Sequence, residues 1–443
     1  SVRSVFRRSF CTHQQTNSSD TAKPIVIHPP LNERNSKFQE YTLRERLPKL
    51  FDSVADQLPE KGREAIEELV NSLKEKKREA KLLPASIYGL TQTRNRNCLV
   101  HIKQWEEFLD LQTYSHRYSL FDIVPSIVAE MYFYHRIVDA TGYFHFTDLP
   151  PFDPFRKQKY EAMQKTLQKA AIPIVEYSLD TGPHSLAKLF ELDLWGNKAD
   201  LSLICESETQ DSNTEGDSTD SHEEILRMLQ QQEKFMLCNE TNEIMEYLTS
   251  IAPTRIDIVL DNAGLELLSD FVLVNGLLRH FPRLTVYMHT KWHPTFVSDA
   301  TTNDVNEAID LLQDSPSTVL QTFGADLLEH KESKRLKISD NMVWTNPMLF
   351  NKLSPDMVEG IKHSNLIIFK GDANYRRLVF DTKWPMDKSF ESVTKYFWCP
   401  VAALRTIKAE LCFGISAKQQ EKIHSYPSNW QETGDIGIIQ FKR

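Results

Sequence analysis

"RIDIVLDNAGLELLSDF", residues 255–271, is a short β-branched run that stops at Asp261-Asn262 and gives way, after small residues, to an apolar pattern at helical spacing. A buried strand feeding a helix reads as one βα unit. "RLTVYMHTKW" (283–292) and "SNLIIFKGDANYR" (364–376) repeat the rhythm with helical stretches between. The alternation predicts a mostly parallel sheet covered by helices, a Rossmann-like three-layer α/β/α domain. Ligands of open sheets bind beyond the carboxyl ends of the strands, which is where Asp261 and Asn262 fall. The next unit offers Asp299 in "FVSDATTND" (296–304), and the third offers Lys370, Asp372, Asn374 and Arg376 in "KGDANYRR" (370–377). Oxygen donors of the Asp/Asn/Asp type suit a hard or borderline cation such as Mg2+ or Mn2+, and the neighbouring basic residues suit an anion. The bland alternative is that Asp261 and Asp299 cap the helices that follow them. No Walker A, GxGxxG, HExxH or GxSxG pattern competes for the role.

The first half of the chain has a different period. "FQEYTLRERLPKLFDSVADQL" (38–58) and "GREAIEELVNSLKEKKREAKLL" (62–83) place apolar residues three and four apart with charges between, as amphipathic helices do. "FDIVPSIVAEMYFYHRIVDATG" (121–142) is apolar nearly all round and predicts a buried helix, yet it carries Glu130 and Arg136. A carboxylate buried alone is prohibitive, so Glu130 is either paired, with Arg136 as the obvious partner, or functional as a candidate substrate contact.

Charge is unevenly placed. The net charge of −9 is almost wholly accounted for by "ESETQDSNTEGDSTDSHEE" (206–224), which has eight acidic residues and no Lys or Arg. A polar, aromatic-free stretch of this kind cannot bury enough surface to order itself and reads as an inserted linker. No basic stripe with interleaved aromatics is present, so nucleic acid is excluded as the expected partner. No run reaches the roughly 18 apolar residues of a membrane span. The six cysteines lie far apart without CxxC spacing, which points to free thiols in a reducing compartment. "SVRSVFRRSFCTHQQTNSSD" (1–20) has three arginines and no acidic residue before Asp20, the composition of an organelle transit peptide or of a basic tail. The expectation is therefore a cytoplasmic monomer, or a mitochondrial one if that tail is an import signal. The segments expected are a tail over 1–30, a mostly helical part over 31–205, the acidic insertion over 206–224 and an α/β catalytic part over 225–443.

Several separated stretches together resemble the DUF89 damage-control phosphatases: "IVLDNAGLELLSD" (258–270), "SDATTND" (298–304), "FKGDANYRRL" (369–378) and "LWGNKADLSL" (194–203). "ALRTIKAE" (403–410) contains Arg405-Thr406-Ile407-Lys408, similar to the RTxK signature of the family's third subgroup, the sugar-phosphate phosphatases. "YTLRERLPKLF" (41–51) and "TGDIGIIQF" (433–441) fit the same subgroup, so the likeness runs over about residues 36 to 443, with no counterpart for the tail or the acidic insertion. The resemblance implies that Asp261, Asn262 and Asp299 hold a divalent metal, commonly manganese, sometimes nickel, cobalt or magnesium. It implies substrate contacts from Asp372 through Arg376, hence Asp372, Asn374, Tyr375 and Arg376, and from Lys408, with Arg405 beside it in the motif. Glu266 falls on the first turn of the next helix and is a further candidate, or simply a Glu favoured by the helix dipole.

The chemistry expected is metal-assisted hydrolysis of a phosphomonoester. Lys408 and Arg376 offset phosphoryl charge, and Asp261 or Asp299 helps to position the attacking water. The resemblance suggests fructose 1-phosphate, fructose 6-phosphate and related reactive sugar phosphates as small-molecule substrates. Members of the subgroup have also been described as S-adenosylmethionine-dependent methyltransferases of protein carboxylates, the alternative reading. This chain lacks the Gly-rich loop after the first strand that Rossmann methyltransferases use, and it has only 14 glycines. A non-catalytic scaffold working through the acidic loop would need decayed metal positions, and they are intact.

Overall fold

The computed structural model describes residues 30–31, 35–75, 86–113, 124–146, 151–179, 185–196 and 221–443. The N-terminal tail through residue 29 and the acidic insertion through residue 220 lie outside them; the last residues of the expected insertion open a helix, Ser221–Gln232. The chain forms two compact units. One comprises Ser1–Phe152, Asn346–Glu359 and Phe380–Trp384, and the other Asp153–Thr345, Gly360–Val379 and Pro385–Arg443. The cut at 152/153 is earlier than the 205/225 segmentation expected from sequence, because the helices between residues 156 and 195 share an apolar core with the sheet.

The first unit is helical. A helical stretch over 37–54, with a π-helical turn at Thr42–Arg46, leads to α1 (Glu60–Lys74), α2 (Arg96–Thr113) and α3 (Ser126–Ala140). Every residue of α3 is buried, as its all-round apolar pattern predicts, Glu130 and Arg136 included. Arg136 Nη1 pairs with Asp139 Oδ2 at 3.4 Å, and His145 Nε2 meets Asp139 Oδ1 at 2.8 Å. Burial alone would push the Asp139 carboxyl up; the His145 hydrogen bond and the Arg136 charge outweigh it and hold the group below its usual range.

The second unit is mixed α/β. Helices α4 (Arg156–Lys169), α5 (Ala171–Leu179), α6 (Ser185–Trp195) and α7 (Ser221–Gln232) precede β1 (Met236–Asn239), α8 (Thr241–Ile251), β2 (Arg255–Val259), α9 (Leu265–His280), β3 (Thr285–His289), α10 (Thr302–Gln313), α11 (Thr318–Glu332), β4 (Leu336–Ser339), β5 (Leu366–Lys370), α12 (Gly371–Leu378), β6 (Val401–Thr406) and β7 (Gly437–Lys442). The seven strands run in the order β1-β7-β6-β5-β2-β3-β4, parallel except for the β6/β7 pair. Period-two alternation sorts the sheet's faces. Ile256, Ile258, Val286, Met288, Leu366 and Ile368 join the apolar core together with Leu267, Phe271 and Val272 of α9. Asp257, also buried, takes Arg255 bidentately at 2.7 Å and His289 Nε2 at 2.7 Å. A buried acid in a central strand is tolerated because those partners outweigh its desolvation and keep it ionised.

The order also locates the site. From β2 the chain goes to β3 and β4 on one side, then returns to β5 on the other, so the direction of winding reverses between β2 and β5. Crevices form at such reversals, beyond the carboxyl ends. Val259 lies opposite Phe369, so the residues that follow, Asp261 and Gly371, leave the sheet side by side. Gly371 has a φ of +77°, and a Cβ there would overlap the Asp261 carboxylate, so this position requires glycine twice over. Among the described residues no helix is long and apolar enough to cross a membrane.

Gly371→Ala is expected to lower stability by at least ~1 kcal/mol, the cost of a left-handed non-glycine residue, and to displace Asp261. Urea denaturation followed by circular dichroism measures it, and an unchanged midpoint would show that the neighbouring carboxylate swings away freely.

Candidate metal and substrate site

Main-chain bonds assemble the acidic pair with its third member. Ala300 N–H donates to Asp261 O (2.8 Å), Ala263 N–H donates to Ser298 O (2.7 Å), and Lys291 N–H donates to Ala300 O (2.9 Å). Asn262 and Asp299 thereby form an isolated antiparallel bridge, so residues 38 positions apart in sequence (261 and 299) share one buried corner. The loop that delivers Asp299 bends through Phe296 and Val297, both at positive φ (+47° and +65°). A β-branched residue in that region is strained, and such strain persists where surrounding structure over-determines it.

The capping alternative for these aspartates does not hold. Thr301 caps α10 and forms a capping box with Asp304, and Gly264 is the N-cap of α9 with no side-chain cap bond. Asp299 Oδ2 is buried and accepts no well-aligned hydrogen bond, although Lys291 Nζ approaches it to 3.3 Å. Asn262 Nδ2 donates to Asp261 Oδ2 (2.9 Å) and to Glu266 Oε2 (2.8 Å). Spending the amide's donors this way leaves Oδ1 as its outward oxygen, touched by Ser298 Oγ at 2.5 Å.

Electrostatics sets this corner apart. Burial, then the charges of Asp299 and Glu266, push the Asp261 carboxyl well above the ordinary aspartate value, against the pull of Lys291 and Lys408. Burial raises Asp299 to about 6 despite Lys291. Desolvated carboxylates crowded together are costly unless a cation joins them. The all-oxygen donor set fits a hard or borderline divalent ion, so the residues present suit the metal that the resemblance implies.

Glu266, on the first turn of α9, is buried. Its Oε1 lies 3.5 Å from Lys370 Nζ, and its Oε2 accepts from Asn262. Lys370, expected to serve an anion, is corrected: it is buried and spent on Asp193 (Oδ1 2.5 Å, O 3.0 Å), Asp270 (3.0 Å) and Glu266. Burial lowers its pKa, but the three carboxylates more than reverse that, so the ammonium is a fixed internal charge.

α12 contributes its first turn. Asp372 Oδ1 accepts from Arg405 Nε (2.7 Å) and from Lys408 N–H (3.1 Å), with Arg405 Nη2 at 2.6 Å. Burial would raise this carboxyl; Arg405 and then Arg376 outweigh it and hold it low. Arg405 also donates to Leu411 O (2.8 Å) and lies 4.4 Å over the Tyr375 ring. Tyr375 donates its hydroxyl to Gln440 Oε1 (2.7 Å). Asn374 Nδ2 donates to Leu260 O and Lys370 O, while its Oδ1 accepts from Lys291. Arg405, Tyr375 and Asn374 thus spend side-chain polar groups on the scaffold.

Lys408 is placed differently. It is only partly buried, its stem lies along Gly434, and its charge acts on Asp261. Arg376 is buried beside Asp372. Glu130 belongs to the helical unit and stays a candidate by sequence alone. Lys291, Ser298, Asp193 and Asp270 escaped the sequence reading. Lys291 follows a strand end, as Asp261 does, and that was the available signal; Asp193 and Asp270 lie inside helical patterns that read as ordinary polar faces.

Comparison with known proteins finds relatives that span most of the chain. Damage-control phosphatase ARMT1 of Mus musculus is 28% identical over 91% of this chain and 96% of its own length. The Bos taurus protein of the same name is 30% identical over 72% of this chain and 74% of its own. A crystal structure of a DUF89 family protein from Pyrococcus horikoshii overlaps with a TM-score of 0.41 at 16% identity, covering 73% of this chain and 90% of that one. Residues 42–423 match the damage-control phosphatase ARMT1-like domain, and the chain belongs to that family of phosphatases.

Proposed function

We propose that this chain is a metal-dependent phosphomonoester hydrolase acting on small reactive sugar phosphates, with fructose 1-phosphate first and fructose 6-phosphate next. The observation that carries the reading is the buried corner of Asp261, Asn262 and Asp299, whose negative charge exceeds what Lys291 neutralises. Asp261 and Asp299 through carboxylate oxygens and Asn262 through Oδ1 are the residues that would hold the ion; Mn2+ or Ni2+ is the first choice, with Co2+ or Mg2+ as alternatives. When bound, a divalent ion supplies positive charge against a phosphoryl oxygen and makes a nearby water more acidic.

The remaining steps belong to the chain's own side chains. Lys408 brings an ammonium to the phosphoryl oxygens, and Arg376 adds charge from α12. Asp372 is held ionised by Arg405 and accepts the Lys408 amide, which fixes the main chain that carries that ammonium. With its charge offset by the ion, Asp261 would be ionised, suited to orient the attacking water and take its proton at a carboxylate oxygen. Asn262 and Glu266, bonded to one another, keep the donor oxygens aimed.

Asp261→Ala and Asp299→Ala are each expected to abolish Mn2+ binding by calorimetry while the circular dichroism spectrum stays that of the wild type. Retained metal in either variant would displace the site. Lys408→Ala is expected to cut kcat/KM for fructose 1-phosphate about 100-fold, the scale of one lost charge-stabilising donor, with metal affinity little changed. Phosphate release and methyl transfer measured side by side separate the two enzyme classes. Phosphate release is expected to stop with a chelator, return with Mn2+ and need no S-adenosylmethionine. Chelator-insensitive methyl transfer without phosphate release from any sugar phosphate would overturn the reading.

A further inference from the structure

Lys291 is a lysine buried to 2% exposure within the acidic corner, and three strand-end segments meet on its ammonium. It donates to Leu260 O at 2.7 Å, the first carbonyl past β2, and to Asn374 Oδ1 at 3.0 Å on α12. It lies 3.3 Å from Asp299 Oδ2 on the loop after β3. Two of its protons go to the neutral oxygens, and on its remaining side it faces Asp299 without a well-aligned bond, so the charge is enclosed by protein oxygens. At 2% exposure the ammonium is walled off from a substrate. Its influence on a ligand acts through its charge and through Asp299.

The count of charge gives that influence a direction. Asp261, Asp299 and Glu266 bring three carboxyl groups together, more negative charge than a divalent ion alone offsets. Lys291 shifts the loaded corner by one positive charge, inside a buried environment where a unit charge is weakly screened. A phosphomonoester arrives as an anion.

We propose that Lys291 is a positioning residue that makes the metal-loaded site one charge less negative, so that anion affinity is tuned by an internal ammonium that never touches the anion. This rests on the metal-dependent phosphatase reading above. It makes the uncommon forecast that removing a cation from a metal site leaves the metal bound as tightly or more tightly while weakening the phosphate.

The test uses the full chain with Lys291→Met, the neutral and more polar Lys291→Gln as a second variant should the first fold poorly, and Lys291→Arg. Mn2+ alone is titrated by electron paramagnetic resonance, and inorganic phosphate is then titrated by calorimetry into the Mn2+-saturated protein. The neutral variants are expected to bind Mn2+ at least as tightly as the wild type and phosphate about tenfold more weakly, as loss of one weakly screened charge implies. Lys291→Arg is expected to restore phosphate affinity. Unchanged phosphate affinity in the neutral variants, loss of metal together with phosphate, or failure of arginine to rescue would each overturn the proposal. A wild-type chain that takes up no Mn2+ would overturn the metal site itself and this proposal with it.

Discussion

Burying a carboxylate is expensive, and the end of β2 buries several at once. Asp261, Glu266 and Asp299 converge there, with Asp193 and Asp270 one contact away through Lys370. Two lysines, Lys291 and Lys370, face those five acids. A protein keeps such an arrangement only where something compensates it: protons taken up by the acids, or a cation. The surrounding architecture is consistent with that one requirement. The main-chain ladder from 261–263 to 298–300 holds the acids together against their repulsion, and Gly371 supplies the room that Asp261 occupies.

The two lysines divide the work. Lys370 is enclosed by three carboxylates and ties α6 and α9 to the end of β5, so its role is to hold the floor of the site. Lys159 does the same on the other flank, pairing with Asp153 at 2.6 Å and Asp304 at 2.5 Å and thereby anchoring the cap of α10 just after Asp299. Lys291 has one carboxylate and two neutral oxygens, which leaves part of its charge unspent. Buried ammonium groups of one residue type thus differ in function according to how many acids each must neutralise.

Much of this was readable in the chain. The βα rhythm around "RIDIVLDNAG", "RLTVYMHTKW" and "SNLIIFKGDANYR" predicted a mostly parallel sheet, because alternation of short β-branched runs with helical stretches has few other solutions. The antiparallel β7 was not legible, since "GIIQF" reads as a strand of either sense. The strand-end rule placed Asp261 and Asp372 near one crevice. It could not reveal that Arg405, Tyr375 and Asn374 spend their donors inside the fold, because a motif shows which residues are present and not where their hydrogen bonds go. Asp193 was hidden for a related reason. Its partner Lys370 lies 177 positions away, and pairing at that distance leaves no local pattern.

The state of each buried acid offers a criterion for telling scaffold from site. Asp139, Asp257 and Asp372 are buried, and each has a cationic or histidine partner that outweighs desolvation and holds the carboxyl below its usual range. Asp193, Asp261, Asp270 and Asp299 are buried equally well and are pushed the other way. Burial is common to both sets, so the difference is local compensation, and the undercompensated acids all gather at the carboxyl ends of β2 and β5. Of these, Asp193 and Asp270 share Lys370 with Glu266, whereas Asp299 keeps a buried oxygen without a well-aligned donor and Asp261 lies within reach of the charge on Lys408. Undersatisfaction next to a half-buried cation is what a site for a metal and an anion requires, and in this fold the topological reversal between β2 and β5 brings both conditions to the same point.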